Sequence, residues 1–233
     1  MEGKQIISEE FSEFAKYCEQ EISPAIVELR DNIQSEKNRR HLQKLLYTSV
    51  VNRFDKVLDD ILTKLAIQEG TSIYENILSL LKNETINKGE LYEMLRSHDI
   101  KSYVDQELRK KATSDYVSKR HDEKLKYILV DCRFHEKTEL RGDRVNWNNG
   151  DILERIAKRQ DIPLSILGYS SYLYARRNAI VHGANKEKYM KRDRDAILKY
   201  HGAVLPETFK ITLAGVNNAI NFYKSLSEKV SVR

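Results

Sequence analysis

The residues best equipped for chemistry lie together near the end of one amphipathic stretch. Arg177, Asn178 and His182 combine a guanidinium, a carboxamide and an imidazole, and Tyr174 shares a helical face with Asn178 and His182 because the three are spaced by four. Imidazole exchanges a proton near neutral pH, and guanidinium binds phosphate through paired hydrogen bonds. The pattern predicts a phosphate-handling site. The alternative is an ordinary helix C-terminus, in which His182 complements the helix dipole and Gly183 is the cap.

The excess positive charge of the chain is concentrated around the same residues. The chain has 40 basic and 35 acidic residues, a net charge of +5. Residues 171–200 contain eight basic and three acidic residues and so account for the whole excess. Such a segment attracts an anionic polymer such as RNA, or is simply a solvated basic loop. The candidate RNA-binding residues are Arg176, Tyr174, Lys186, Lys188, Lys191, Arg192 and Arg194.

Helices must position this motif. Only 3 prolines and 9 glycines interrupt the chain, which favours long helices. Residues 35–68 carry apolar side chains at steps of three and four, which predicts a long helix that forms the spine of a bundle. No internal repeat or shift in composition marks a boundary. The sequence therefore predicts a single all-α domain over residues 1–233.

Smaller features give further expectations. Ser23-Pro24 reads as a helix start, and a last helix is expected after Pro206. Asn149-Gly150 is interpreted as the lead into a helix at Ile152 rather than as a hairpin turn, with Trp147 anchoring the preceding loop. The pair Asp59-Asp60 is interpreted as the solvated face of the long helix.

Several classes of protein are not supported by the sequence. It has no phosphate-binding glycine loop, no dinucleotide fingerprint, no nucleophile elbow and no spacing typical of a metal site, so neither a cofactor nor a metal is expected. Cys18 and Cys132 are expected to be reduced thiols. No apolar run is long enough for a membrane span or a secretory signal, so a cytoplasmic location is expected.

The segment from Arg177 to His182 resembles the RxxxxH signature of the HEPN superfamily of helical ribonucleases, in which a polar residue, often asparagine, follows the arginine. Its place near the end of a late helix, after a long early helix, is similar to that family's bundle. Arg176 satisfies a version of the spacing that is one residue longer. The helical region of about 72–135 is insert-like, and neither it nor the insert 186–200 within the basic excursion 183–202 has a counterpart in the family.

The resemblance implies a HEPN-like helical bundle with a long early helix and extra helices. It also implies metal-independent cleavage of RNA by the ribose 2′-hydroxyl, giving 2′,3′-cyclic phosphate and 5′-hydroxyl ends. Arg177 would stabilise the phosphorane, His182 would transfer a proton, and Asn178 would orient His182 or hold a phosphate oxygen. Family members assemble as homodimers with a composite cleft. Small ones are commonly toxins or antiviral effectors, and some of these are paired with a neutralising partner.

Two other functions remain open at this point. The chain is alternatively a catalytically silent HEPN-like module that binds RNA or nucleotide or only dimerises. It is otherwise a helical adaptor with a basic docking segment and no enzymatic role. The presence of both Arg177 and His182 favours the enzyme, because a silent member would be expected to lack one of them.

Overall fold

The fold is almost entirely helical, as the sequence predicts. The computed structural model describes residues 2–82, 85, 87–96, 99–131, 143–153, 164–183, 186–201 and 211–231. Within these ranges the chain forms helices and one two-stranded sheet. None of the described helices is long and apolar enough to cross a membrane.

The elements are numbered along the chain, and two short π-helical segments, Cys18–Ile22 and Thr113–Val117, interrupt the regular helices. The regular elements are α1 (Glu2–Tyr17), α2 (Ser23–Asn32), α3 (Glu36–Leu65), α4 (Ser72–Leu81), α5 (Lys88–Arg96), α6 (Ile100–Ala112), α7 (His121–Asp131), β1 (Arg144–Val145), β2 (Ile152–Leu153), α8 (Ile166–His182), α9 (Lys186–His201) and α10 (Leu213–Ser231).

The predicted long helix is the spine of the bundle. Ser35 is its N-cap and accepts a hydrogen bond from the amide of Asn38 (3.4 Å). From Tyr47 to Leu65 its apolar stripe is buried, and α1, α7, α8 and α10 all pack against α3. Phe54 lies at the centre, with its ring stacked on Tyr223 of α10 at 3.8 Å between centroids. Helix α8, which carries the motif, is thereby fixed to the core.

The predicted helix start at Ser23-Pro24 is confirmed in position, because α2 begins at Ser23 with Pro24 in its first turn. Ser23 is not its cap, however, since the chain is helical without a break from Glu2 to Asn32. The Ser23 hydroxyl donates to the carbonyl of Cys18 (2.9 Å) instead of capping a new helix. Proline has no N–H and its ring crowds the carbonyl four residues earlier. The wider π turn of Cys18–Ile22 lies immediately before it, where it accommodates Pro24 without ending the helix.

Cys18 is buried among apolar side chains, and burial raises the pKa of its thiol to about 12. A thiol with so high a pKa is unreactive at neutral pH. It is not in a disulfide in the described part of the chain. Cys132 lies outside the described residues.

The predicted helix at Ile152 is also wrong, because residues 144–153 form a β-hairpin. Arg144–Val145 pairs antiparallel with Ile152–Leu153, and the amide of Gly150 donates to the carbonyl of Asn146 (2.8 Å). Gly150 has φ +83°, a conformation that side-chain-bearing residues rarely adopt. Asn149-Gly150 therefore closes the loop that connects the two strands, and the positive φ of Gly150 lets the chain return to the second strand. Residues 154–163, where that helix was expected to continue, lie outside the described residues.

The hairpin is attached to the bundle on two sides. Trp147 anchors it, as predicted: its ring contacts Tyr172 and Tyr169 of α8, at 4.7 and 5.8 Å between centroids. On the other side, Asn218 of α10 donates to the carbonyl of Trp147 (3.3 Å) and Asn221 to that of Asn149 (3.1 Å). The hairpin therefore connects α8 to α10 and supports the helix that carries the motif.

Candidate active site

The motif occupies the last turns of α8, where that helix leaves the core. Ser165 caps the helix by accepting a hydrogen bond from the amide of Gly168 (3.0 Å). The first half of α8 is buried as far as Leu173, whose carbonyl accepts a hydrogen bond from the hydroxyl of Tyr47 on α3 (3.1 Å). The helix ends at His182, followed by Gly183 with φ +54°. The motif is therefore held rigidly at one end and reaches solvent at the other.

Arg177 is held in place by neutral groups. Its Nε donates to Oδ1 of Asn52 on α3, and its Nη1 donates to Oδ1 of Asn178 (2.6 Å). The guanidinium carbon lies over the ring of Tyr174, 5.5 Å from the centroid, a favourable cation–π arrangement. Asn178 thus orients Arg177 through its carbonyl oxygen, whereas the sequence predicted that it orients His182 or a phosphate.

The charge of Arg177 has no direct counter-ion among the described residues. Within the part of the chain that the structure describes, its guanidinium contacts Asn52, Asn178 and Tyr174 and no carboxylate. Since a guanidinium carries five N–H donors, three are left to bind a further acceptor. A fixed cation with free, forked donors and no carboxylate partner is suited to a phosphate group.

Behind Arg177 lies a buried polar network that the sequence analysis did not find. The ring of Tyr174 stacks on that of His121 from α7, with centroids 4.9 Å apart and planes 8° from parallel. His121 is only 1% exposed, and its Nδ1 is 2.8 Å from Oδ1 of Asp55 on α3. A carboxylate on α3 therefore fixes an imidazole, which supports the phenol that lies under Arg177.

The network continues through Lys124, which is 5% exposed. Its Nζ lies 3.3 Å from Oδ1 of Asp55 and 2.6 Å from Oδ1 of Asp59. Asp59 is therefore an ion-pair partner of a buried lysine, and the prediction that it belongs to the solvated face is wrong. Helix α7, which supplies His121 and Lys124, lies in the region expected to be an insert. That region thus contributes directly to the surroundings of the motif.

Burial and pairing shift the pKa values within the network in opposite directions. Burial alone would raise the pKa of Asp55, but His121 and Lys124 together outweigh it and lower that pKa below its ordinary value. For Asp59, burial prevails over the attraction of Lys124 and raises the pKa. Burial would lower the pKa of Lys124, but its bonds to the two carboxylates raise it. Asp55 is therefore the carboxylate that the network keeps ionised.

The ionised state of Asp55 is expected to stabilise the fold in a pH-dependent way. Because its pKa is lower in the folded than in the unfolded chain, its contribution is complete at neutral pH and is lost as the pH falls below about 4. Asp55→Asn should lower the free energy of unfolding by about 3 kcal/mol at pH 7, since it leaves buried charges without their partner. The measurement is urea unfolding of both proteins at neutral and acid pH.

The deficit of Asp55→Asn should shrink at acid pH, where the wild type also loses the ionised carboxylate. Asp31→Asn is the control: Asp31 pairs with Arg30 at the surface, and exposed ion pairs contribute little to stability. A deficit for Asp55→Asn that is the same at both pH values would contradict the account of the network.

His182 lies apart from Arg177 in this chain. It is exposed, and its ring stacks on Tyr189 of α9 with centroids 5.6 Å apart. Five positions along a helix correspond to a rotation of about 140°, so the two side chains leave α8 on different sides. The structure brings Tyr174, Arg177 and Asn178 together, but it places His182 beside the basic helix α9.

Arg176 points to a third side of α8. Its guanidinium carbon lies 5.8 Å from the ring centroid of Tyr47 and 5.7 Å from that of Tyr172. It therefore packs against the buried rings of Tyr47 and Tyr172. Arg177 contacts the buried network through Tyr174.

The basic excursion is a helix rather than a loop. Helix α9 spans Lys186–His201 and packs against α8. Lys188 and Lys191 are exposed and Arg194 is half-buried. The side chains of Lys186 and Arg192 lie outside the described ones. Helix α9, which contacts His182 through Tyr189, therefore carries at least two exposed cations.

Within the described ranges, no group of three or more His, Cys, Asp or Glu side chains is arranged to hold a metal ion. Comparison of the chain with family models, with curated proteins and with solved structures finds no match. The assignment of the site therefore depends on its own residues.

A signal for the missed residues was present in the sequence. Asn52, Asp55 and Asp59 recur at steps of three and four on α3, and His121 and Lys124 are three apart on α7. Acidic and basic groups at matching helical steps on two helices can pair when those helices pack together. Sequence alone did not show that α3 and α7 are neighbours.

Proposed function

We propose that this protein is a metal-independent endoribonuclease of the HEPN type. The observation that carries the proposal is the state of Arg177: it is fixed by Asn52, Asn178 and Tyr174, has no carboxylate partner among the described residues, and keeps donors free for a phosphate. The same helix ends in an exposed histidine beside exposed cations of α9. These are the groups that RNA cleavage without a metal needs.

The proposed reaction is an in-line attack within the RNA chain. The 2′-hydroxyl oxygen bonds to the adjacent phosphorus and gives up its proton, and the bond from phosphorus to the 5′-oxygen breaks. The 5′-oxygen takes up a proton, so the products are a 2′,3′-cyclic phosphate and a 5′-hydroxyl. His182 carries out one of these two proton transfers, solvent water carries out the other, and Arg177 stabilises the charge on the phosphorane. The need for a 2′-hydroxyl restricts the substrate to RNA.

The separation of Arg177 and His182 around α8 favours a site completed by a second copy of the chain. Two protomers related by a two-fold axis would place the His182 of one near the Arg177 of the other. The expected mass by light scattering is about 55 kDa, twice the 27.3 kDa of one chain. Mixing Arg177→Ala with His182→Ala subunits should restore part of the activity. A fully active monomer would contradict the shared site.

A nuclease of this kind needs control in its host cell. We therefore propose a role as a toxin or antiviral effector that acts on cellular RNA in the cytoplasm and is restrained by a neutralising partner. The exposed cations of α9 would supply affinity for the RNA backbone that is tolerant of sequence and sensitive to salt.

The proposal is tested with total cellular RNA incubated with the protein in excess EDTA. Because the proposed cation is Arg177, cleavage should persist in the chelator, and the Arg177→Ala variant should be inactive in the same buffer. Activity that disappears in EDTA and returns with Mg²⁺ or Mn²⁺ would contradict the mechanism. Binding of RNA without cleavage under any of these conditions would instead support the silent module.

A further inference from the structure

The first turns of α3 form a basic surface outside the bundle. The buried stripe of this helix begins only at Tyr47, and the preceding side chains from Glu36 to Leu46 are exposed or half-buried. Four basic side chains among them lie at positions i, i+3, i+4 and i+7 of the helix. Residues at these steps share one helical face. This face, the α3 basic stripe, consists of Lys37, Arg40, His41 and Lys44.

The α3 basic stripe carries little compensating charge. Glu36 is the single acidic residue between positions 33 and 47, and it pairs with Arg40. Lys37 and Lys44 form no ion pair with the described residues. A surface that is merely solvated commonly alternates acidic and basic residues, which pair along the helix. Here the positive charges extend over about 10 Å of the helix with one carboxylate among them.

The α3 basic stripe lines a depression in the surface and lies on the helix face that continues toward the motif. The four basic residues line a surface depression of about 810 Å³, together with Ile33 and Leu42. Tyr47 follows Lys44 by three positions, and the guanidinium of Arg176 lies over its ring. The α3 basic stripe therefore leads along one helix face to α8.

We propose that the α3 basic stripe is a second binding surface for the RNA backbone. It would hold the RNA on the side of the motif that Arg176 and Tyr47 define, while α9 holds it on the side of His182 and Tyr189. The sequence-level candidates for RNA binding lie on α8 and α9, so this surface extends the substrate path to a different helix. The inference rests on the proposed function in taking RNA as the anion.

The first test removes the charges in a protein that cannot cleave. In the His182→Ala background, Lys37→Gln, Arg40→Gln and Lys44→Gln are combined, and the dissociation constant for a single-stranded RNA is measured between about 50 and 200 mM salt. Loss of three backbone contacts should reduce the slope of log affinity against log salt by about 2. The affinity itself should fall at least about tenfold at the lower salt concentration.

A matched control removes three charges from another exposed helix. Lys101, Arg109 and Lys110 of α6 are exposed, and Lys110 pairs with Glu107 much as Arg40 pairs with Glu36. Their replacement with glutamine should leave both the affinity and the salt slope unchanged. Equal losses in the two triple variants would show that only net charge matters, and that result would overturn the proposal.

A second variant is expected to increase the affinity for RNA, and an increase cannot result from unfolding of the protein. Glu36→Gln removes the single carboxylate that pairs with the stripe and frees Arg40. RNA should therefore bind more tightly, by about the few-fold change that one additional phosphate contact gives. Unchanged or weaker binding by Glu36→Gln would contradict the proposal. A change of the triple variant from dimer to monomer with unaltered RNA affinity would assign the stripe to a protein interface and would likewise overturn it.

These results separate the two proposals. If wild-type protein cleaves RNA but the triple variant binds as well as its parent, the nuclease assignment stands and the second surface is wrong. If no cleavage is found but the triple variant loses its affinity for RNA, the surface stands and the nuclease assignment fails. A parent protein that does not bind RNA contradicts both.

Discussion

Replacing His182 with alanine is expected to lower RNA turnover at least about a hundredfold, the usual scale for the loss of a general acid or base. The affinity for RNA should be nearly unchanged, because the exposed cations of α9 remain in place. The fold should also persist. His182 is exposed and stacks only at the surface on Tyr189, and a histidine at a helix C-terminus contributes about 0.3–1 kcal/mol through the dipole.

The measurement combines single-turnover cleavage at saturating RNA with a binding curve and thermal unfolding. Tyr92→Ala is the control, since Tyr92 is also an exposed ring on a helix surface, 63% exposed on α5, and belongs to neither proposed RNA surface; its turnover should equal that of the wild type. If His182→Ala unfolds while the remaining soluble protein still cleaves RNA, then His182 is a structural cap and its catalytic role is excluded.

Replacing Gly150 with alanine should strongly lower the free energy of unfolding, because both the backbone conformation and a close contact oppose a side chain there. Gly150 has φ +83°, and a Cβ there would overlap the backbone carbonyl oxygen of Asn218 on α10. Holding alanine at this positive φ costs about 1–2 kcal/mol of folding free energy. Displacing the hairpin or α10 to relieve the overlap costs about 1–3 kcal/mol more. A total of about 3 kcal/mol should appear as a lower midpoint in urea unfolding.

Gly70→Ala isolates the conformational part of this effect. Gly70 has φ +79°, but a Cβ at that position has no atom within 4 Å, so only the backbone cost of about 1–2 kcal/mol should be measured. Equal losses for Gly70→Ala and Gly150→Ala would mean that the hairpin does not pack tightly on α10. The difference between the two variants therefore measures that contact.

Local patterns predicted the helices well where apolar spacing and capping residues agreed. The long spine predicted over residues 35–68 follows directly from the sequence, and the structure shows side-chain caps at Ser35, Thr71 and Asn87, which accept from the amides of Asn38, Tyr74 and Glu90. At the start of α6, Asp99 accepts the capping hydrogen bond from the amide of Ser102. Both residues have suitable side chains, and only the backbone geometry distinguishes them.

The β-hairpin escaped prediction because its strands are only two residues long. Arg144–Val145 and Ile152–Leu153 are too short to show the alternation of polar and apolar residues by which strands are recognised. What stabilises the hairpin is contact with distant residues, namely Tyr172 against Trp147 and the amide of Asn221. Such contacts depend on the packing of α8 and α10 and cannot be read from the local sequence.

The candidate site was predicted only in part for the same reason. The identity of Arg177, Asn178 and His182 came from a short motif, but their surroundings come from two other helices. Asn52 on α3 and His121 on α7 determine how Arg177 is held, and no local spacing links them to α8. The sequence shows which groups can react, whereas the fold shows which of them are fixed in place.

The measurement that tests the central claim most directly uses an RNA with one mapped cleavage site, cleaved by wild-type protein in excess EDTA. An otherwise identical RNA carries a single 2′-deoxynucleotide on the 5′ side of that site. The account predicts a 2′,3′-cyclic phosphate on the first RNA and no cleavage at that site of the second, because the attacking hydroxyl is absent. Cleavage of the deoxy-substituted RNA at the same position would show that water or another group attacks the phosphate, and would contradict the proposed roles of Arg177 and His182.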